Sequence, residues 1–157
     1  MSLEKALADL ERKGFLDHVM ELEASTATAA QAAEALGVEP GRIAKTMSFL
    51  QEDKAVLILT EGTARIDNHK YKETFHVKAK MIPFDEVEAR IGHAPGGVCP
   101  FGCNEGIPVY LDESLKRFTT VFPAVGSANS AIELNLDELF RYSKALEWID
   151  VCKLPEQ

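Results

Sequence analysis

The chain has 157 residues, 46% of them hydrophobic and 27% charged, with a formal net charge of −8. Those values describe one folded domain over 1–157, with enough chain to bury a sizeable core and too little for two typical domains. They disfavour a protein held to nucleic acid by bulk attraction along many phosphates, and no apolar run approaches the roughly 20 residues that cross a bilayer.

The N-terminal "MSLEKALADLERKG" is charged where a signal peptide is apolar, so the expected location is the cytoplasm. Leu3, Ala6, Leu7 and Leu10 recur at helical spacing behind Ser2 as cap, and Gly14 stands where that helix would stop. A second helix is marked by Thr28 as cap, the run "AAQAAEAL", and Gly37 as stop. After "EPGRI" turns the chain, "KTMSFL", "QEDK" and "AVLILT" predict strand, turn and strand, with Lys45 at the threshold of the first strand. The continuous run from Val56 to Leu59 suits a strand covered on both faces. A helix is predicted over 66–76, a short strand at "AKMIP", and a helix at "FDEVEARIG" closed by Gly92. Beyond it, "IPVYL", "FTTVF", "SAIEL" and "LEWIDV" predict strands, "DESLK" a helical turn, and "LDELFRYS" a helix behind Asn135. Strands and helices mix without regular alternation, which predicts an α+β domain on a curved mixed sheet.

The stretch 96–103, "GGVCPFGC", is open to three chemistries. As a metal clip, Cys99 and Cys103 supply half of a tetrahedral site, which His69 and His76 would have to complete; with no second cysteine pair, no metal is expected. As a nucleophile, Cys99 needs a base, and His93 lies upstream on the approach to the same loop. As a cradle, Gly96 and Gly97 let a ligand approach the main chain and let successive N–H groups point one way, while Pro100 stiffens the exit. Three cysteines are an odd count, too few for a disulfide framework, and a reducing compartment keeps them as thiols, so they read as packing or site residues rather than bridges.

Three further features carry chemistry. Lys45 either snorkels to the surface or reaches into a pocket at the sheet's end. Gly126, Ser127, Asn129 and Ser130 read as a hairpin turn that would also make a pocket wall. Over 65–80, Arg65, Lys70, Lys72, Lys78 and Lys80 outnumber Asp67 and Glu73, giving an acidic protein one basic segment: a solvated face or a local contact for nucleic acid.

Three separated pieces, "AAEALGVEPGRIAKTMSFL", "GGVCPFG" and "SAIELNLDELFRYSKALEWIDV", resemble the YbaK/EbsC group, the aminoacyl-tRNA editing domain also found associated with prolyl-tRNA synthetases. The resemblance implies a curved mixed sheet or partial barrel with surrounding helices, and a small pocket that hydrolyses the ester between a wrong amino acid and its tRNA. It implies that Lys45 is the functional lysine, that Thr46 follows it as in the Cys-tRNA deacylase branch, and that Gly96, Gly97, Val98, Cys99 and Pro100 form the pocket loop. Where that branch carries Gly-Leu-Asp before Ile-Glu-Leu, this chain has Asn129, Ser130 and Ala131, so a cysteine specificity does not carry over.

The expectation is therefore a trans-editing deacylase for small amino acids of the Ala, Cys or Ser class on tRNA-Pro or tRNA-Cys. It needs no cofactor, has aminoacyl-tRNA and a synthetase as partners, and uses the basic segment to hold tRNA. The alternative is a non-catalytic module of the same fold that binds a small amino-acid-like ligand or charged tRNA; a third reading is a hydrolase using Cys99.

Overall fold

The structure is a computed structural model that describes residues 2–12, 19–22, 28–95, 98–127 and 129–154. Helix α1 (Ser2–Arg12) buries Ala6 and Leu10 fully, with Leu3 and Leu7 against the same core, as the apolar spacing predicts. Ser2, expected as its cap, is its first residue, and the expected stop at Gly14 lies outside the described residues. Strand β1 (Val19–Glu21) precedes helix α2 (Ala29–Leu36). The Thr28 hydroxyl accepts from the Gln31 amide at 3.1 Å, and Gly37 closes α2 at φ 71°.

Strands β2 (Ile43–Gln51) and β3 (Lys54–Glu61) form the central antiparallel hairpin. Its two turn residues, Glu52 and Asp53, both have positive φ (51° and 69°), as a type I′ turn requires to match the twist of the strands. Leu57 and Leu59 enter the main core while Val56 and Ile58 enter a second cluster, so β3 is buried on both faces.

Strand β4 (Arg65–Ile66) leads into helix α3 (Asn68–Phe75), where the Asp67 carboxylate accepts from the amides of His69 (3.0 Å) and Lys70 (3.2 Å). The strand expected at "AKMIP" shrinks to a single bridge from Met81 to Phe49. Two hydrogen bonds hold it to β2, Leu50 N–H to the Lys80 carbonyl (2.8 Å) and Ile82 N–H to that of Ser48 (3.1 Å); Pro83, with no N–H to donate, ends the pairing. A 3₁₀ turn (Phe84–Glu86) and helix α4 (Val87–Ile91) follow, closed by Gly92 at φ 100°.

The remaining elements are strands β5 (Val109–Asp112), β6 (Thr120–Pro123), β7 (Ser130–Ile132) and β8 (Leu134–Asn135), helix α5 (Leu136–Tyr142), and strands β9 (Glu147–Ile149) and β10 (Cys152–Lys153). "SAIEL", expected as one strand, divides at Glu133. Its carboxylate is held by Arg42 (3.1 Å) and Thr120 (2.8 Å), and the chain passes from pairing with β1 to pairing with β6. The main sheet runs β8-β6-β2-β3-β5-β9, mixed parallel and antiparallel, and curls into a half-barrel; β1–β7 and β4–β10 are small antiparallel pairs. This is the α+β architecture expected.

Candidate functional site

A cleft of about 370 Å³ opens where α2, the first half of β2, and the segment 81–87 meet. Its lining is mostly apolar, with Ala32, Ile43, Ile82 and Phe122 among its walls, and hydroxyl-bearing at Thr28, Thr46, Ser48 and Ser130. Strand alternation sets Thr46 and Ser48 on one side of β2, while Ile43 and Lys45, which also border the cleft, belong to the other. Ala44 lies on the main-core face of β2, so Thr46 and Ser48 share that side, whereas Met47 and Phe49 pack in the second cluster. The Thr46 hydroxyl is buried and, among the described residues, has no hydrogen-bond partner. Such a group costs about 1–3 kcal/mol if left unsatisfied, so its position in a cleft wall marks where a polar atom of a ligand would be welcome.

Lys45 also borders the cleft, yet its ammonium donates to the Ala64 carbonyl at 2.5 Å, and Ala64 belongs to the second cluster, outside the cleft lining. One acceptor uses one of three ammonium hydrogens, leaving two for a ligand. Burial lowers the pKa of Lys45 below the usual lysine value; Cys152 and Glu61 oppose this and Arg65 adds to it. Burial also pushes the Cys152 thiol up, so no thiolate balances Lys45 at neutral pH. Glu61 is already committed: its fully buried carboxylate accepts from Arg117 at 2.6 Å and from the amide and hydroxyl of Thr63. The lysine's charge is thus only partly compensated. The Glu61–Arg117 pair gave no signal in the sequence, because its partners are joined only when β3 meets the 3₁₀ turn Glu113–Arg117.

Gly96 and Gly97, the expected cradle, lie outside the described residues; Pro95 and Val98, which flank them, both line the cleft. Cys99 does not line it. That side chain is fully buried, with Sγ 3.5 Å from both His93 Nε2 and the Phe101 carbonyl. His93 Nε2 sits 2.6 Å from the Phe101 carbonyl oxygen, which can only accept, so this nitrogen carries the proton and cannot take one from the thiol. Burial raises the Cys99 pKa far above its ordinary value. The geometry therefore removes the base that a Cys99 nucleophile requires. Pro100 is buried and borders a different depression, beside Lys5, Asp9 and Gly102. His69, a candidate ligand for a Cys99–Cys103 metal clip, pairs instead with Glu73 at 2.8 Å on α3. Among the described residues no group of three His, Cys, Asp or Glu side chains is placed to hold a metal ion.

Of the expected wall, Ser130 lines the cleft; Gly126, Ser127 and Asn129 stand outside its lining. Gly126 turns the chain at φ 79°, and the Ser127 hydroxyl lies 2.7 Å from Ser130 Oγ and 2.9 Å from Asn129 Oδ1, bracing Ser130 from behind. In the basic segment, Arg65, Lys72, Lys78 and Lys80 are exposed. Lys70 is not available in the same way: its ammonium bonds Asp150 (3.0 Å) and the Cys152 carbonyl (3.0 Å), and the bond to Asp150 chiefly raises its pKa. Lys78 and Lys80 lie on the segment that runs into Met81 at the cleft, whereas Arg65 sits on β4 opposite Lys153.

A curled mixed sheet with a small cleft over the start of its central strand is the frame of a YbaK-type domain. The chain belongs to the aminoacyl-tRNA editing domain family, whose model matches residues 23–142. It is 51% identical over 154 residues to the uncharacterized protein YwhH of Bacillus subtilis (strain 168), covering 98% of each chain. It is 30% identical over 109 residues to EbsC of Enterococcus faecalis, named as a proposed Cys-tRNA(Pro)/Cys-tRNA(Cys) deacylase, covering 68% of this chain and 66% of that one. The crystal structure of a proposed trans-editing enzyme for prolyl-tRNA synthetase superposes with a TM-score of 0.86 at 35% identity, covering 97% of both chains. No described helix is long and apolar enough to cross a membrane.

Proposed function

We propose that the protein is a trans-editing deacylase that hydrolyses the ester of a small mischarged amino acid, of the Ala, Cys or Ser class, on tRNA-Pro or tRNA-Cys. The observation that carries this reading is the buried, unpartnered hydroxyl of Thr46, a residue that lines a small cleft together with Lys45, Val98 and Ser130. A synthetase pocket gains only about 1–3 kcal/mol of discrimination per methylene, so small amino acids escape it and a second, separate site must remove them. The names of EbsC and of the trans-editing structure point the same way.

In this reading Lys45 is an electrostatic and positioning group rather than a general base. Its ammonium repels the substrate's own α-ammonium and so faces the ester carbonyl or the terminal phosphate, using the hydrogens that Ala64 leaves free. The loop at 96–98 supplies main-chain N–H groups to the developing oxyanion, and water is the nucleophile. Few tRNA phosphates are engaged, through Lys72, Lys78 and Lys80, so tRNA binding is weak and salt-sensitive, and a synthetase partner supplies the rest of the selectivity.

The decisive experiment offers tRNA-Pro and tRNA-Cys charged with alanine, cysteine or serine, and measures release of the amino acid. Release of at least one mismatched residue is expected; an idle panel overturns the proposal, and saturable binding without turnover would favour the binding-module alternative. Two variants sharpen it. Thr46→Val should leave stability unchanged or raise it by up to about 1 kcal/mol, because an unpaired hydroxyl is removed, while kcat/KM falls roughly tenfold or more. Thermal melting beside the deacylation assay checks both halves, and an unchanged rate would remove Thr46 from the site. Cys99→Ala should keep turnover within about twofold once corrected for folded fraction; abolished turnover in a folded variant would reinstate the thiol as nucleophile.

A further inference from the structure

Large apolar side chains left in water need a reason when they border a cleft. Four are exposed among the described residues: Met81 (53%), Phe84 (79%), Leu146 and Leu154. Two of the four, Met81 and Phe84, line the candidate cleft. Neither sits on a loose loop tip. Met81 bridges Phe49 of β2 between the two hydrogen bonds from Leu50 and Ile82, and Phe84 opens a 3₁₀ turn in which the Glu86 amide donates to the Pro83 carbonyl at 2.9 Å. Just beyond, Val87 and Ile91 anchor α4 in the main core. An aromatic ring on a hydrogen-bonded turn is thus presented to solvent beside a pocket it helps to line, and the exposed cations Lys78 and Lys80 precede it on the same segment.

We infer that Phe84, with Met81 beside it, is a stacking shelf for the base of the terminal nucleoside of the charged tRNA. The inference rests on the editing reading above and adds a recognition element to it. An aminoacyl group in the cleft is joined by its ester to a ribose, so the base on that ribose is the next group outward. A base offers a π-face to an aromatic ring whatever its sequence, and the phosphate on the ribose's 5′ side is the natural partner of Lys78 and Lys80. The shelf reads the nucleoside and not the amino acid: it contributes to holding the substrate, while selection among alanine, cysteine and serine remains with the cleft.

The test uses two non-hydrolysable probes on the full chain. One is 3′-alanylamido-3′-deoxyadenosine 5′-phosphate; the other is the same amide with hydrogen in place of the base. Calorimetric titration of the wild type should give a dissociation constant about 5- to 150-fold lower for the base-bearing probe. In Phe84→Ala that gap should close, with the abasic probe unaffected; Phe84→Trp should keep it and Phe84→Leu should not. Because Phe84 is mostly exposed, the melting temperature of each variant should match the wild type, which excludes a folding defect. Equal weakening of both probes, an unchanged gap in Phe84→Ala, or leucine serving as well as tryptophan would overturn the shelf. Deacylation by the wild type separates the two proposals: an active panel with an unchanged gap sinks the shelf alone. An idle panel with neither probe bound sinks the editing reading and the shelf with it.

Discussion

Replacing Lys45 by alanine should lower kcat/KM for deacylation by about 10²- to 10³-fold, the loss expected when a preorganised cation or donor is removed from a developing oxyanion. Substrate binding should fall much less, because the cleft walls remain. The expected size follows from the local charge: Glu61 is engaged by Arg117 and Thr63, so the ammonium of Lys45, a residue at the cleft's border, keeps a field only partly cancelled. The pH dependence has a definite sign. Burial lowers the lysine's pKa, so its charge is lost on the alkaline side before the ordinary lysine range, and the rate should decline there too. Lys45→Arg keeps its charge across that range, so whatever its rate at neutral pH, its alkaline decline should be absent. For stability the same shift acts in the opposite sense. Between the lowered folded value and the ordinary one, the unfolded chain binds more protons, so folding gains stability as pH rises through that window. A Lys45→Ala variant that hydrolyses as fast as the wild type would end the assigned role.

How far the sequence foretold these features depended on the range over which each is determined. The β2–β3 hairpin was legible because its signals are local: a continuous apolar run in the second strand and the polar "QEDK" between it and "KTMSFL", of which the structure keeps Glu52 and Asp53 as the turn. The caps at Thr28, Gly37 and Gly92 were legible for the same reason. Strands β1, β4 and β10 left no pattern, since two or three residues cannot show a period; they exist because Val19 meets Ile132 and Cys152 meets Ile66. Lys70 looked like a free cation until the fold brought Asp150 to it across the sequence. Thr46 was named by resemblance to a family, but that its hydroxyl lacks a partner is a fact of packing. Met81 was expected in a short strand and Phe84 at the start of a helix; that both stay exposed could not be read, because nothing in a sequence says which side of a short turn stays wet.

The second large effect lies away from the cleft's chemistry. Gly102→Ala should destabilise the protein by roughly 2–4 kcal/mol, combining a left-handed backbone that favours glycine with overpacking that has no soft neighbour to absorb it. Gly102 has φ 66°, and a Cβ there would stand 2.3 Å from the Lys5 carbonyl oxygen, 2.4 Å from its carbon and 2.8 Å from the Ala6 nitrogen. Those atoms are helix backbone, so relief requires α1 to move. Its present seat is defined on both sides: the Gly102 amide donates to Asp9 at 3.1 Å, while Ala6 and Leu10 share the main core with Cys99 and Phe101. Displacing α1 therefore loosens the stretch that continues from Val98 at the cleft, and the melting temperature should fall by about 4–16 °C. Gly106→Ala isolates the backbone contribution, because Gly106 also has positive φ (82°) but an added Cβ would meet nothing within 4 Å. Its cost should stay near 1 kcal/mol. If denaturant titrations gave the two variants equal losses, the close approach of α1 would carry no weight, and Gly102 would be explained by its dihedral alone.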